Sequence, residues 1–329
     1  MRRLLRGPRG DAGRGRRRGP RRVLHHVRGH PRPRHPRRHR RAARRRRRDL
    51  GAGRPPLHHR GPGPLLLPPR RPHRPLRRLR LAQGRRVTEE RATEERRAEL
   101  AEGIAGVRAR IAAACAAAGR DQSEITLIAV TKTFPASDVR LLAGLGLTDI
   151  GENRDQEARP KAAECADLPL TWHFVGRLQT NKAGAVAGYA DVVHSVDRPR
   201  LVTSLSNAAV RAGRALRCLV QVSLDEGTPS EVRERGGVPP VDAPSLADRI
   251  AEADGLELGG VMAVAPLGAD PLPAFTRLGE VAARLRRNHP AASIVSAGMS
   301  GDLEQAIACG ATHLRVGTAL LGGRRAIVR

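Results

Sequence analysis

Between Thr126 and Leu320 a short β-rich run and a helical stretch alternate eight times, and no other feature of the chain restricts its fold as strongly. The runs lie at 126–132, 149–153, 171–177, 191–197, 217–224, 256–264, 293–299 and 313–320. Helical stretches fall near 137–145, 156–166, 182–187, 199–211, 245–252, 271–288 and 301–309. The stretch at 271–288 shows its apolar stripe in Leu272, Phe275, Leu278, Val281 and Leu285. An amphipathic helix comes first: from Arg97 onward Leu100, Ile104, Val107, Ile111, Cys115 and Ala118 recur at spacings of three and four and stop at Gly119. Cores such as Leu127-Ile128-Ala129-Val130 and Leu219-Val220-Gln221-Val222 are almost continuously apolar, as parallel strands covered on both faces are. Eight β-α units within residues 87–329 predict an α/β fold of the (β/α)8 TIM-barrel type, whose usual size is roughly 250 residues. The rival, an open doubly wound sheet, would carry a Gly-x-Gly-x-x-Gly turn after an early strand, and none is present.

Charge divides the chain in two. The whole has 61 Lys+Arg against 32 Asp+Glu, a formal net charge of +29, which if evenly spread would mark a nucleic-acid binder. Residues 1–86, however, hold 32 Arg, no Lys and only Asp11 and Asp49 as acids, a balance of +30, and the remainder nets −1. This extension also has 13 Pro and 11 Gly and lacks aromatic residues, Ser, Thr, Glu, Ile, Asn and Cys altogether. It cannot bury enough apolar surface to offset chain entropy, so a disordered Arg/Pro/Gly-rich extension is expected. Runs such as Arg44 to Arg48 would bind polyanions without sequence preference. The same vocabulary also results when GC-rich non-coding sequence is translated. Because composition changes abruptly at Val87-Thr88-Glu89-Glu90, the expectation is a mis-assigned start, a domain over 87–329 and no specific nucleic-acid partner.

Nothing in the chain approaches the roughly 18 continuous apolar residues of a membrane span, so no membrane partner is expected. Cys115, Cys165, Cys218 and Cys309 lie far apart with no Cys-x-x-Cys pair and read as reduced packing residues of a cytoplasmic protein.

In a barrel of this type the functional face is the carboxyl end of the strands. Polar residues collect there: Thr131-Lys132-Thr133, Glu152-Asn153, Trp172-His173-Phe174, the run Ser296-Ala297-Gly298-Met299-Ser300-Gly301-Asp302, and Arg315-Val316-Gly317-Thr318. Such barrels often bind phosphate with the loops after strands seven and eight. Gly298 and Gly301 permit close backbone approach, and Ser300 is placed to cap the helix carrying Asp302 and Glu304. Gly317-Thr318 adds amides and a hydroxyl, so a phosphate fits among N–H groups. The plainer alternative is that these residues only turn and cap the chain.

A lysine closing an apolar strand is expected to be partly desolvated, which favours the neutral amine that attacks an aldehyde. Facing a phosphate, Lys132 points to a Schiff base with pyridoxal 5′-phosphate; otherwise it is a solvated or ion-paired residue. Arg315 either approaches the pyridine nitrogen, where a cation keeps that nitrogen unprotonated and weakens the ring as an electron sink, or pairs with Asp302 or Glu152. Asn153 and His173 are candidates to hydrogen-bond the ring or O3′, the alternative for His173 being a satisfied histidine of the barrel core. His194, His289 and His313 read as structural or exposed. Residues 87–329 contain no His-x-His and no His-Glu-x-x-His, and no metal is expected.

Residues 87–323 resemble the YggS/PROSC-type pyridoxal phosphate homeostasis proteins, which have the fold of the alanine racemase N-terminal domain. The matching segments are Ala129-Val130-Thr131-Lys132-Thr133, Gly151-Glu152-Asn153, Trp172-His173-Phe174-Val175-Gly176 with Leu178-Gln179-Thr180-Asn181-Lys182, Gly298-Met299-Ser300-Gly301-Asp302, and Arg315-Val316-Gly317-Thr318. The resemblance implies that Lys132 carries the cofactor as an aldimine, that Ser300, Gly317 and Thr318 hold phosphate, and that Arg315 faces the pyridine nitrogen. Asn153, His173, Ser296, Gly298 and Met299 complete the expected cofactor-binding set. The chain departs from the commonest family pattern at Thr131, where Ser is usual, and at Arg154, where Tyr is frequent. Its loop 225–237 also lacks the usual Lys-x-Gly, and the family has no Arg-rich extension.

The implied function is a cytoplasmic, monomeric buffer and carrier of pyridoxal phosphate that supplies apo-enzymes and does not catalyse efficiently. The alternative is an amino-acid racemase or related enzyme on the same fold. Racemisation needs an acid/base on each face of the substrate, and in alanine racemases a tyrosine from another domain is the second. Tyr189 is the one tyrosine here, and no room for a further domain is expected after Leu321.

Overall fold

The computed structural model describes residues 75–225 and 236–323, with side chains placed from Glu90 onward. Residues 1–74 of the expected extension and most of the loop 225–237 lie outside the described residues. Helix α1 runs Pro75–Ala118, so it begins ahead of Arg97, where the apolar stripe starts, and passes without a break through the composition change at Val87. Its buried stripe is the expected one, with Leu100, Ile104, Val107, Ile111 and Cys115 all at most 5% exposed.

The barrel strands follow in order: β1 Thr126–Val130, β2 Asp149–Glu152, β3 Thr171–Phe174, β4 Val192–Val196, β5 Leu216–Gln221, β6 Leu256–Met262, β7 Ile294–Ser296 and β8 His313–Val316. Each pairs in parallel with the next, and β8 pairs with β1 from Thr126↔His313 to Ala129↔Val316, so the sheet is a closed barrel. The helices between them are α2 Ala136–Gly144, α3 Asp155–Glu164, α4 Ala183–Val186, α5 Pro199–Ala212, α6 Ala243–Ala251, α7 Pro271–Asn288 and α8 Leu303–Ala308, with α9 Thr318–Leu321 after β8. The (β/α)8 reading of the alternation therefore holds, with element ends shifted by a few residues.

The larger shifts at strand ends have local causes. The seventh and eighth runs are shorter than expected because Gly298 turns the chain at a φ of 89°, while Gly317 caps α9. The Cβ of a larger residue at position 298 would stand 2.7 Å from the Ala306 Cβ, so this glycine lets α8 pack close against the strand end. Helix α1 packs on α8 and α9 and is pinned by Arg96, whose guanidinium donates to Asp138 Oδ2 at 2.7 Å and to the Leu321 carbonyl at 3.1 Å. Cys115, Cys165 and Cys218 are buried and unpaired, and Cys309 is half-buried, consistent with packing roles.

One irregularity shapes the far wall. The β5–β6 register jumps from Cys218↔Leu258 to Leu219↔Gly260, which leaves Gly259 as an extra residue in β6. Gly260 has a φ of 145°, and a Cβ there would lie 2.0 Å from the Ile294 carbonyl oxygen on β7. Glycine is the residue that allows this approach. Gly260→Ala is expected to cost about 3 kcal/mol. Thermal unfolding checks this, with an expected fall in Tm of roughly 6–12 °C.

Candidate functional site

Strand β1 stops at Val130, and Lys132 stands exposed in the turn that follows. The expected desolvation of Lys132 is corrected here: the strand ends two residues before it, and the turn lifts its side chain to the barrel mouth. Thr133 completes the turn at a φ of 69°, a region that β-branched residues rarely adopt and that needs outside support. That support is visible: Thr133 N donates to Glu157 Oε2 at 3.1 Å, and Phe134 N donates to the Thr131 carbonyl at 3.0 Å. The Arg96 guanidinium lies 5.6 Å from the centroid of the Phe134 ring.

Beneath the turn lies a buried ionic clamp. Lys161 on α3 donates to the Thr131 carbonyl at 2.9 Å and to Glu152 Oε1, which also accepts from the Thr131 hydroxyl at 2.6 Å. Glu152, Thr131 and Lys161 are all buried. The backbone immediately before Lys132 is thus held on both sides, by Lys161 at the Thr131 carbonyl and by Thr131 N donating to the Gly151 carbonyl of β2 at 2.9 Å. This clamp was not legible in the sequence, because Lys161 reads as one more charge on a polar helix.

On the opposite side of the β1–β8 seam, Arg315 is 6% exposed. Its Nη1 donates to Ser296 Oγ at 2.6 Å and its Nη2 to the Ala263 carbonyl at 2.8 Å. The ion pair weighed for it does not form: Glu152 is taken by Lys161, and Asp302 Oδ1 accepts from Met299 N at 2.6 Å. Burial pushes the Arg315 guanidinium down to about 10, with Asp302 acting the other way, and it remains a cation at neutral pH.

His173 is buried with both ring nitrogens engaged, Nε2 3.0 Å from Asp149 Oδ1 and Nδ1 2.9 Å from His194 Nε2. Of the two readings of His173, the structure shows the satisfied barrel histidine. His194, read from the sequence as structural or exposed, is its direct neighbour and also contacts Ser296 Oγ at 3.0 Å. A signal existed: His173 pairs with Val192, and His194 lies two residues on, so both face the same side of the sheet. Burial, then His173, Arg315 and His313, hold His194 well below the ordinary 6.5, and burial pushes His313 down to about 4.

The loops after β7 and β8 meet as expected, with one role changed. Ser300 does not cap α8, whose N-cap position is taken by Asp302. Instead Ser300 Oγ accepts from Ala319 N at 3.3 Å and so joins the β7 loop to the first turn of α9, where Gly317 is the N-cap and Thr318 is exposed. Arg110 on α1 braces this loop through the Ser300 carbonyl at 2.9 Å and Glu304 at 2.8 Å. Gly298 serves packing against α8, Met299 is 38% exposed, and Gly301 has open space around it. Asn153 is half-buried at the end of β2, with a buried Oδ1 that has no hydrogen-bond partner among the described residues.

The site is therefore an exposed primary amine, a hydroxyl-bearing loop junction and a buried guanidinium at adjoining strand ends. Over 252 residues the chain is 48% identical to the pyridoxal phosphate homeostasis protein of Mycobacterium tuberculosis, covering 70% of this chain and 95% of the relative. This chain belongs to the pyridoxal phosphate homeostasis protein family. The family member of Escherichia coli is 35% identical over 232 residues, covering 69% of this chain and 97% of that protein. The family described as the N-terminal domain of alanine racemase matches residues 105–325. Among solved structures, PipY of Synechococcus elongatus with PLP bound aligns with a TM-score of 0.59 and 34% identity, covering 68% of this chain and 100% of PipY.

Removing Lys161 leaves Glu152 a buried unpaired carboxylate, so Lys161→Met is expected to destabilise by about 3 kcal/mol, and adding Glu152→Gln should recover much of that loss. Urea unfolding of the single and double variants measures it. Buried His194 and half-buried His313 set a pH dependence: unfolded chains take up protons near 6.5, whereas His313 resists protonation until about 4 and His194 resists it more strongly. Stability is therefore full above about pH 6.5 and falls as pH drops towards 4, with His313 alone contributing roughly 2 kcal/mol by pH 5. His313→Gln flattens that slope in unfolding curves measured between pH 7.5 and 5.

Proposed function

We propose that this protein binds pyridoxal 5′-phosphate reversibly through Lys132 and acts as a buffer and carrier of the cofactor within the cell, without efficient catalysis. The observation that carries the reading is the Lys132 amine itself. It is exposed at the barrel mouth, has no hydrogen bond or ion pair among the described residues, and lies across the β1–β8 seam from Gly317-Thr318. When bound, pyridoxal phosphate supplies an aldehyde that condenses reversibly with a primary amine to a Schiff base, releasing water.

The donor set fits the group. Lys132 presents the amine, and the Thr318 hydroxyl with the Ser300-linked turn of α9 offers polar groups to a phosphate. Arg315 supplies a fixed cation for a ring nitrogen. Asn153 Oδ1, without a partner among the described residues, is an acceptor for a ring hydroxyl. A cation at the pyridine nitrogen disfavours its protonation and so weakens carbanion stabilisation. This electrostatic setting favours holding the cofactor over turning it over. Open access to Lys132 favours exchange with acceptor apo-enzymes.

A racemase reading requires a second acid/base. The one tyrosine of the chain, Tyr189, has a buried hydroxyl with no partner among the described residues, and burial, followed by Asp155 and Glu152, pushes its phenol upward. Such a group is poorly suited to proton transfer near neutral pH.

The purified protein loaded with pyridoxal phosphate is expected to be yellow, with a chromophore that borohydride fixes to the chain. Lys132→Ala should abolish both the colour and the fixation while leaving thermal stability unchanged, since the side chain is exposed. A colourless protein in excess cofactor refutes the reading. Rapid exchange of Cα hydrogen in single-enantiomer amino acids in deuterated water would instead favour the enzyme.

A further inference from the structure

Five side chains from five strands form one hydrogen-bonded line across the barrel interior. Asp149 Oδ1 lies 3.0 Å from His173 Nε2, and His173 Nδ1 lies 2.9 Å from His194 Nε2. His194 Nδ1 is 3.0 Å from Ser296 Oγ, which accepts from Arg315 Nη1 at 2.6 Å. The four inner residues are buried, and only Asp149, at the start of β2, reaches solvent.

With both imidazoles neutral, the two ends of the line fix its direction, because a carboxylate only accepts and a guanidinium only donates. Asp149 takes the hydrogen of His173 Nε2. A neutral His173 then offers a bare Nδ1, which must receive hydrogen from His194 Nε2. A neutral His194 in turn offers a bare Nδ1 to the Ser296 hydroxyl, whose oxygen lone pairs remain for Arg315. Each contact then contains one proton, and every buried donor and acceptor along the line is used.

An extra proton on His173 would reverse every later link. His194 would then carry its hydrogen on Nδ1, and Ser296 would accept twice with its own hydrogen released. The groups facing His194 are His173 on β3 and His313 and Arg315 on β8, and together with complete burial they disfavour positive charge on it. The line therefore has two arrangements, told apart by which nitrogen of His194 bears hydrogen.

We propose that His194 is a positioning residue for Arg315: as an Nε2–H imidazole it accepts the Ser296 O–H hydrogen bond at Nδ1 and so fixes Ser296 as the acceptor that holds the guanidinium. The functional side of this inference rests on Arg315 facing the pyridine nitrogen of the bound cofactor; the direction of the hydrogen bonds does not.

The test begins with the full-length, cofactor-free protein. Long-range 1H–15N correlations of the histidine rings are expected to show hydrogen on Nε2 in both His173 and His194, with slowly exchanging Arg315 Nη hydrogens. His194→Phe and Ser296→Ala should abolish that slow exchange. His194→Asn, whose Oδ1 can stand where Nδ1 stood, should keep it. Hydrogen on Nδ1 of His194, or Arg315 exchange unchanged in both disruptive variants, overturns the proposal. Should His194→Phe fail to fold, Ser296→Ala and the tautomer measurement decide the matter.

With pyridoxal phosphate, Kd should rise about tenfold in His194→Phe and Ser296→Ala, equivalent to about 1.4 kcal/mol. It should stay within about twofold in His194→Asn, while borohydride still fixes the cofactor to Lys132 in all three. An unchanged Kd in both disruptive variants also overturns the proposal. If the unaltered chain takes up no cofactor, the carrier reading and the role towards the cofactor fall, and the tautomers still report whether His194 holds Ser296 and Arg315.

Discussion

Closure of the barrel depends on β8 returning beside β1, and the register of that seam places every group at the mouth. Pairing from Thr126↔His313 to Ala129↔Val316 brings the residues just beyond β1 next to Gly317 and Thr318. Side chains alternate across a strand, so a slip of one residue would turn Arg315 out of the interior towards the surrounding helices. Closure also removes the open strand edges that would otherwise invite pairing with other chains. The seam thus performs a topological task and a chemical one with the same backbone hydrogen bonds.

The interior it encloses is unusual for this architecture. Barrel cores of this type are dominated by branched aliphatic side chains. Here a small aliphatic cluster, Val192, Leu219, Met262 and Ile294, shares the interior with His173, His194, Ser296 and Arg315. Buried polar groups are tolerated when their partners are complete, and a half-satisfied set is worse than an apolar core. The polar line is complete from Asp149 to Arg315, so it can rigidify the lower side of the site. The Glu152–Lys161–Thr131 clamp does the same below the Lys132 turn.

Local periodicity made the architecture legible: eight apolar runs with intervening helical stripes are set by neighbouring residues, and the structure contains all eight strands. The placement of Lys132, Arg315 and the Gly317-Thr318 pair at strand ends was legible as well, since it is a local property. What remained hidden depends on contacts distant in sequence. Lys161 reaches the Thr131 carbonyl from a helix that looks merely polar, and His194 gains its partners only once β3, β4 and β7 are side by side. Ser300 carried the right residue type but a different role, because Asp302 reached the N-cap position first and left the serine hydroxyl for α9. The expected desolvation of Lys132 failed because the strand gives way to a turn before it, and the turn leaves the residue exposed.

Among its described residues helix α1 contributes no group to the mouth, yet two of its arginines end on backbone carbonyls of the loops that form it. Arg96 reaches Leu321 at the end of α9, and Arg110 reaches Ser300 after β7. Both loops are therefore anchored to a single rigid rod that enters the fold before any barrel strand. A small rotation of that helix about its axis would therefore move the two loops together.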